Sequence, residues 1–253
     1  MITLASDFGS PYPAAMKGVI CRASDARIVD VSHEFPRQDV RTAAFWTREV
    51  LPWFPPAVHC VVVDPGVGTD RAALVVRAGE HALVGPDNGV LLPAARALAG
   101  DDGPEVFAVT VADPESATFH GRDVFAPTAA RVHEAGVDAV ATLDGVGPVD
   151  EFVDLRFPAP DTGADGTVRG EVLVVDGFGN VVTNVPGDAV RASMGDALAV
   201  DGEAVPVRRS YAAVDPGERL VTVGSHGHVE FAVNRGRGDE AFGLTVGDAV
   251  RLG

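Results

Sequence analysis

The sequence predicts an α/β fold: an N-terminal layered α/β domain on a largely parallel sheet, followed by a smaller all-β, barrel-like C-terminal domain. Three observations predict it. Apolar runs of strand length alternate with helix-length segments through residues 1–157. A stretch rich in proline, glycine and aspartate, PAPDTGADGTV, follows at 158–168 and reads as a linker. Beyond it, over 169–253, short strand-like runs separated by turns replace the alternation. A chain of 253 residues with 46% hydrophobic and 22% charged residues has the material for such cores.

The elements can be read in order. ITLAS (2–6), RIVDVS (27–32), VHCVVVD (58–64), AALVVRA (72–78), HALVGPD (81–87) and EVFAVTVA (105–112) are apolar runs of strand length, several of them buried on both faces by this pattern. AAMKGVICRAS (14–24), DVRTAAFWTREVL (39–51) and GVLLPAARALA (89–99) read as the helices between them, and a further apolar helix follows FHGRDVFAP with Pro127 in its first turn. Trp46 and Trp53 are expected in the core, as are Cys21 and Cys60, which are too few and too far apart for a disulfide framework or a zinc site. In the last third, EVLVVDGFGN, VVTNV, ALAVDGEAVPV, RLVTVGSHGHVEFAVN and GDAVRLG read as strands and turns, with one short helical segment at DAVRASM.

Composition narrows function. The formal charge of −16 arises from 36 acidic against 20 basic residues, and Lys17 is the sole lysine. Such a surface repels phosphate backbones and attracts cationic small molecules, so nucleic acid is excluded as a partner. It also suits high salt, and halophilic adaptation is the plainest reading of the charge. No run reaches the length of a membrane span, and MITLASDFG opens on strand-like sequence without a basic leader, so no membrane partner and a cytoplasmic location are expected.

Polar residues gather at strand ends. VVVDPGVGTDR puts Asp64 after an apolar strand and Arg71 seven residues on, where open α/β sheets bind ligands; the plainer reading of Asp64 is an Asp-Pro-Gly turn. SDFG puts Asp7 after the first strand, placed either to hold ribose hydroxyls or to cap the next helix. GPDNG (85–89) ends another strand and reads as a turn. ATFHGRDVFAP (117–127) sets His120, Arg122 and Asp123 at the mouth of a helix. The plain reading of the three is a helix cap with a salt bridge, and the sharper one is a reaction centre. VVDGFGNVVTNV carries Asp176, Phe178, Asn180, Thr183 and Asn184, a hairpin with more amides than a turn requires. GSHGH holds His226 and His228 without the further ligands a metal needs. Phosphate-loop and dinucleotide-binding glycine patterns are absent.

Taken together, SDFG (6–9), MKGVI (16–20), VVDPGVGTDR (62–71), GPDNGVL (85–91), FHGRDVFAP (119–127), VDGFGNVVTN (175–184) and SHGHVEFAVN (225–234) resemble one family, the S-adenosyl-L-methionine (SAM) hydroxide adenosyltransferases, relatives of the fluorinating and chlorinating enzymes. The resemblance implies hydrolysis of SAM to adenosine and L-methionine by water attack at the ribose 5′-carbon, without a cofactor or a metal. It implies a homotrimer with each ligand between one subunit's N-terminal domain and a neighbour's C-terminal domain. It assigns Asp64, Arg71 and His120 to the activation of water, leaving open which of Asp64 and His120 takes the proton. It assigns Asp7, Phe8, Phe119, Gly121, Asp176, Phe178, Asn180, Ser225 and His226 to substrate binding. The segment Ser10–Ala15 is shorter than this resemblance leads one to expect, and His226 stands where the halogenating branch has another residue. Two alternatives stay open: a halide-dependent adenosyl transferase forming 5′-chloroadenosine, and a non-catalytic sensor of SAM or adenosine.

Overall fold

The computed structural model describes residues 1–110 and 116–253, in two compact units, Met1–Arg156 and Phe157–Gly253. The first unit runs β1 (Ile2–Ser6), α1 (Tyr12–Ala23), β2 (Ile28–Ser32), α2 (Val40–Val50), β3 (Val58–Val62), β4 (Ala73–Ala78), β5 (His81–Pro86), α3 (Leu92–Ala99), β6 (Glu105–Val109), a π-helical turn (Gly121–Phe125), α4 (Ala126–Ala135) and β7 (Val146–Pro148). The end of the run read as a strand over 105–112 lies partly outside the described residues.

The sheet order is β2-β1-β3-β5-β4-β6-β7. Parallel pairing joins β2, β1, β3 and β5, and antiparallel pairing adds β4, β6 and β7. The antiparallel turn has a local cause. Only Gly79 and Glu80 separate β4 from β5, and a parallel pair needs a crossover of a dozen or more residues. On the parallel side the chain leaves β1 in one direction to β2 and later enters β3 on β1's other flank. The carboxyl ends of β1 and β3 therefore flank a topological switch point, the place where open α/β sheets take ligands.

Helix faces follow from spacing. Pro13, Met16 and Ile20 form the buried stripe of α1, and α4 buries a run of small residues, Ala126, Thr128, Ala129, Ala130 and Val132, that lets it lie close to the strands. Met16 and Ile20 join Leu4, Cys60, Val62, Val84 and Phe125 in one core. Two expectations are corrected here. Trp53 is 85% exposed, because Pro52 ends the helical run at Val50 and a 3₁₀ turn (Leu51–Trp53) carries the indole outward. Cys21 is exposed as well, since it follows Ile20 off the buried stripe of α1, whereas Cys60 is buried in β3 and burial pushes its thiol up to about 12.

The second unit runs β8 (Asp161–Thr162), β9 (Val168–Val175), β10 (Val181–Pro186), β11 (Ala197–Val200), β12 (Glu203–Pro206), β13 (Arg219–Val223), β14 (His228–Val233), α5 (Gly238–Phe242) and β15 (Ala249–Leu252). The sheet order is β12-β11-β15-β9-β10-β14-β13, all antiparallel, and a bridge between Val207 and Val221 nearly closes it into a barrel. Its core is dominated by valine, with Val172, Val181, Val185, Val221, Val229 and Phe231 fully buried. Such β-branched residues favour a pleated, two-sided packing surface. Within the stretch read as a linker, Asp161 and Thr162 pair with β9. The segment DAVRASM is a 3₁₀ turn (Gly187–Ser193).

Candidate active site

In the first unit three residues read from sequence meet. Asp64 lies two residues beyond β3 and Arg71 two before β4. The guanidinium grips the carboxylate with both arms: Arg71 Nε donates to Asp64 Oδ1 at 3.0 Å, and Arg71 Nη2 makes a shorter bond to Asp64 Oδ2. Arg71 Nη2 also lies 2.8 Å from His120 Nδ1. The pair is well shielded, with side-chain exposures of 11% for Arg71 and 4% for Asp64, and the Arg71 guanidinium lies 5.0 Å from the centroid of the Phe125 ring. The Asp-Pro-Gly turn is present, but the Asp64 carboxylate serves Arg71.

The proton positions follow from donor chemistry. A guanidinium has no acceptor, so His120 Nδ1 must accept from Arg71, and the proton of the neutral ring sits on Nε2. Below this cluster Asn88 Nδ2 donates to the Val63 carbonyl at 2.8 Å, and Asn88 Oδ1 accepts from Val90 N. GPDNG therefore pins the backbone immediately before Asp64. A turn alone, the plain reading of GPDNG, does not account for these two side-chain bonds.

His120 leads into the π-helical turn at Gly121–Phe125, an irregularity common at functional sites. Phe119 stands beside it, with Phe8 at 5.8 Å and Tyr12 at 5.5 Å between ring centroids, both edge-to-face. A Cβ on Gly121 would meet Phe119 and Phe8 at 3.1 Å and the Met16 sulfur at 3.2 Å, so a glycine there lets the aromatics close on the backbone. Tyr12 was missed by sequence reading. Arg122 and Asp123 bind each other, with Nε to Oδ1 at 2.5 Å, and that hydrogen bond holds the Asp123 carboxyl below its ordinary range.

Asp7 does not cap α1, whose N-cap is Pro11. Its Oδ2 accepts from Gln38 N at 2.6 Å, steadying a residue at φ +61 just ahead of Asp39, the N-cap of α2. The loop after β1 is held from below: Ser6 Oγ meets His33 Nδ1 at 2.8 Å, His33 Nε2 meets Asp30 Oδ1 at 3.0 Å, and Gly9 N donates to the His33 carbonyl. The order resembles a nucleophilic triad, but Ser6 is fully buried and the chain is scaffolding for SDFG.

In the second unit the hairpin between β9 and β10 folds around Asp176. Its Oδ1 accepts from Phe178 N at 2.9 Å and Asn180 N at 2.8 Å, and its Oδ2 from Asn180 Nδ2 at 2.9 Å. Phe178 projects at the tip, 81% exposed. Thr183 and Asn184 are spent on the fold: Thr183 Oγ1 donates to the Val229 carbonyl, and Asn184 binds Glu171 N and the Pro158 carbonyl. Ser225 is exposed at the turn between β13 and β14. His226 is nearly enclosed, its Nε2 lying 2.9 Å from Glu230 Oε1 and its Nδ1 accepting from His228 N at 3.2 Å. Among the described residues no three histidine, cysteine, aspartate or glutamate side chains are grouped to hold a metal ion.

Residues 2–141 match the model of the SAM hydroxide adenosyltransferase N-terminal domain, and residues 170–251 that of the C-terminal domain. The chain belongs to the SAM hydroxide adenosyltransferase family. A relative from Salinispora arenicola named (R)-S-adenosyl-L-methionine hydrolase is 42% identical, with 99% of this chain and 97% of the relative covered. One of the same name from Thermus thermophilus is 43% identical over 98% of this chain and 97% of its own. Among solved structures, an uncharacterized conserved protein from Thermotoga maritima matches with a TM-score of 0.84 at 34% identity, covering 100% of this chain and 99% of that one. A conserved hypothetical protein from Thermus thermophilus matches with a TM-score of 0.78 at 39% identity, covering 99% of this chain and 98% of that one. Both halves of the family pattern are thus present, each with the motif residues described above.

Proposed function

We propose that this chain hydrolyses SAM to adenosine and L-methionine, water attacking the ribose 5′-carbon. The observation that carries this reading is the shielded Asp64–Arg71–His120 cluster beside the switch point of the sheet, in a member of a family whose curated relatives are named SAM hydrolases.

The substrate's sulfonium is a leaving group that needs no proton. The water oxygen forms the new bond to the 5′-carbon, the carbon–sulfur pair returns to sulfur to give neutral methionine thioether, and the water's proton must be taken up. The protein must therefore place a water, accept its proton and hold the line of attack. With Nδ1 filled by Arg71, His120 presents Nε2–H, a donor that fixes the water's orientation. Asp64 is then the acceptor. Each of its oxygens receives one bond from Arg71 and keeps a further lone pair. Arg71 holds both partners in register. The reaction so written needs neither cofactor nor metal.

Around this centre, Asp7 Oδ1 is available for ribose hydroxyls, and Phe8, Phe119 and Gly121 line the nucleoside. Asp176, Phe178, Asn180 and Ser225 supply contacts from the second unit, with His226 in support. In this proposal the protein is a cytoplasmic homotrimer whose ligands lie between one subunit's N-terminal unit and a neighbour's C-terminal unit. No helix among the described residues is long and apolar enough to cross a membrane.

The test is chromatography of the protein incubated with SAM at low and high potassium chloride. Adenosine with methionine is expected. 5′-Chloroadenosine would replace the proposal with a halide-dependent transferase, and tight binding without product would replace it with a sensor.

A further inference from the structure

We infer that Glu230 is a positioning residue for the substrate-binding face of the second unit, acting through Tyr211 and His226; the inference rests on the hydrolase reading above. Glu230 lies within β14, opposite Thr222 of β13 and Val182 of β10, and is only 4% exposed. A carboxylate in the middle of a strand in a valine barrel has a desolvation cost, which hydrogen bonds must offset. Two do. Tyr211 Oη donates to Glu230 Oε2 at 2.8 Å, and His226 Nε2 lies 2.9 Å from Glu230 Oε1.

The direction of every bond in this chain is fixed. His228 N–H can only donate, so His226 Nδ1 accepts and the neutral ring carries its proton on Nε2, donating to Glu230. At the other end the Asn180 amide divides its two hydrogens between Asp176 Oδ2 at 2.9 Å and Tyr211 Oη at 3.4 Å. Tyr211 accepts from Asn180 and passes its own proton on to Glu230. The chain thus begins at the Asp176–Asn180 hairpin and ends on the loop carrying Ser225 and His226, and Glu230 ties the two. Burial, followed by the bond to Glu230, pushes the Tyr211 hydroxyl well above its ordinary range, so it stays a donor.

The backbone makes room for the pair. A Cβ on Gly224 would stand 2.3 Å from Glu230 Oε1 and 2.6 Å from the His226 ring, closer than atoms approach. Both ring nitrogens of His226 are engaged within the unit, so it serves the substrate by bracing Glu230 and its own loop. Tyr211, 42% exposed beside the hairpin that presents Phe178, is the ring this arrangement aims.

Glu230→Gln isolates the role. An amide offers one acceptor where two donors arrive, and His226 cannot change tautomer without turning Nδ1–H onto the His228 N–H. The measurement is steady-state hydrolysis of SAM by the full chain, with Kd for SAM by calorimetry and thermal midpoints as a check of folding. Glu230→Gln is expected to raise KM and Kd about tenfold with kcat within about threefold. Tyr211→Phe should raise KM several-fold, and the double variant should be no worse than Glu230→Gln. A Glu230→Gln KM within twofold of the unsubstituted chain, or a fall in kcat at unchanged KM, overturns the inference and leaves the hydrolase reading standing. Absence of both binding and adenosine with the unsubstituted chain overturns both. Should Glu230→Gln fail to fold, Tyr211→Phe at the surface decides: raised KM supports the role and unchanged KM overturns it.

Discussion

His120 separates two mechanisms, because in the proposed one its two nitrogens do different work and two amides can replace them singly. Asparagine reaches about as far as Nδ1 and can still accept from Arg71 Nη2, 2.8 Å away in the native site, but has no outward N–H. Glutamine reaches about as far as Nε2 and keeps the outward donor while giving up the Arg71 contact. If the donor at Nε2 orients a water turning hydroxide-like, losing it removes a hydrogen bond to a charged group, worth about 1.5–3 kcal/mol. At 1.36 kcal/mol per tenfold, His120→Asn should lower kcat by about 10- to 150-fold. His120→Gln should lose less than about tenfold. Adenosine release followed across pH supplies the second readout: with Asp64 as proton acceptor, both variants keep the shape of the native kcat/KM profile. Loss of its acid limb in either variant, or a larger loss in His120→Gln than in His120→Asn, would refute the assignment of His120 as donor.

Four further outcomes follow from the same structure. Asp64→Asn keeps the shape and removes the acceptor, so turnover should fall on the order of 10²–10⁴-fold by product chromatography. Arg71→Met leaves Asp64 shielded and unpaired, at a cost of about 3 kcal/mol in urea denaturation, most of which the double variant Asp64→Asn/Arg71→Met should recover without recovering activity. His59 is fully buried between Thr3 Oγ1 and His81 Nδ1, and burial, then His81, takes its pKa from 6.5 to about 3. A depressed folded value favours the neutral form, so this contribution is full above pH 6.5 and drains away as pH falls toward 3. Its ceiling is on the order of 5 kcal/mol. The urea midpoint should therefore drop from pH 7 to pH 4.5, and drop less in His59→Gln. Finally, a thiol reagent at neutral pH should label Cys21 in the native chain and reach Cys60, buried with its thiol near 12, only after unfolding.

The parts of the fold that depend on local pattern were legible. The apolar runs at 2–6 and 58–64 contain β1 and β3, and alternation with turn residues located the barrel strands. Trp53 misled because it lies past the helix, beyond Pro52, where a 3₁₀ turn rather than the buried helical face sets the direction of the indole. Cys21 misled because apolar neighbours in sequence do not share a face of a helix. Of the site, Asp64, Arg71 and His120 stood out by residue type at strand and helix ends, and the family pattern grouped them. Their bonds were not legible, since 49 residues separate Arg71 from His120 and nothing local encodes that contact. Tyr211 and Glu230 were missed for opposite reasons: one is a lone aromatic in a turn, the other a single acid in an apolar strand, and neither pattern signals a partner.

What the contacts add to the residue list is direction. A histidine and an aspartate side by side are interchangeable candidates for a base until an arginine is placed against one ring nitrogen. That placement makes His120 a donor and leaves Asp64 the free lone pairs. The same reasoning applies at Glu230, where a backbone N–H fixes the tautomer of His226 and thereby the direction of every bond out to Asn180. In both places the fixed donor is a group that cannot reverse its role, a guanidinium in one and a peptide N–H in the other. A displacement whose leaving group departs unaided gains little from a strong base and much from donors and acceptors that cannot exchange roles, because only fixed roles hold a water in line with the bond it breaks.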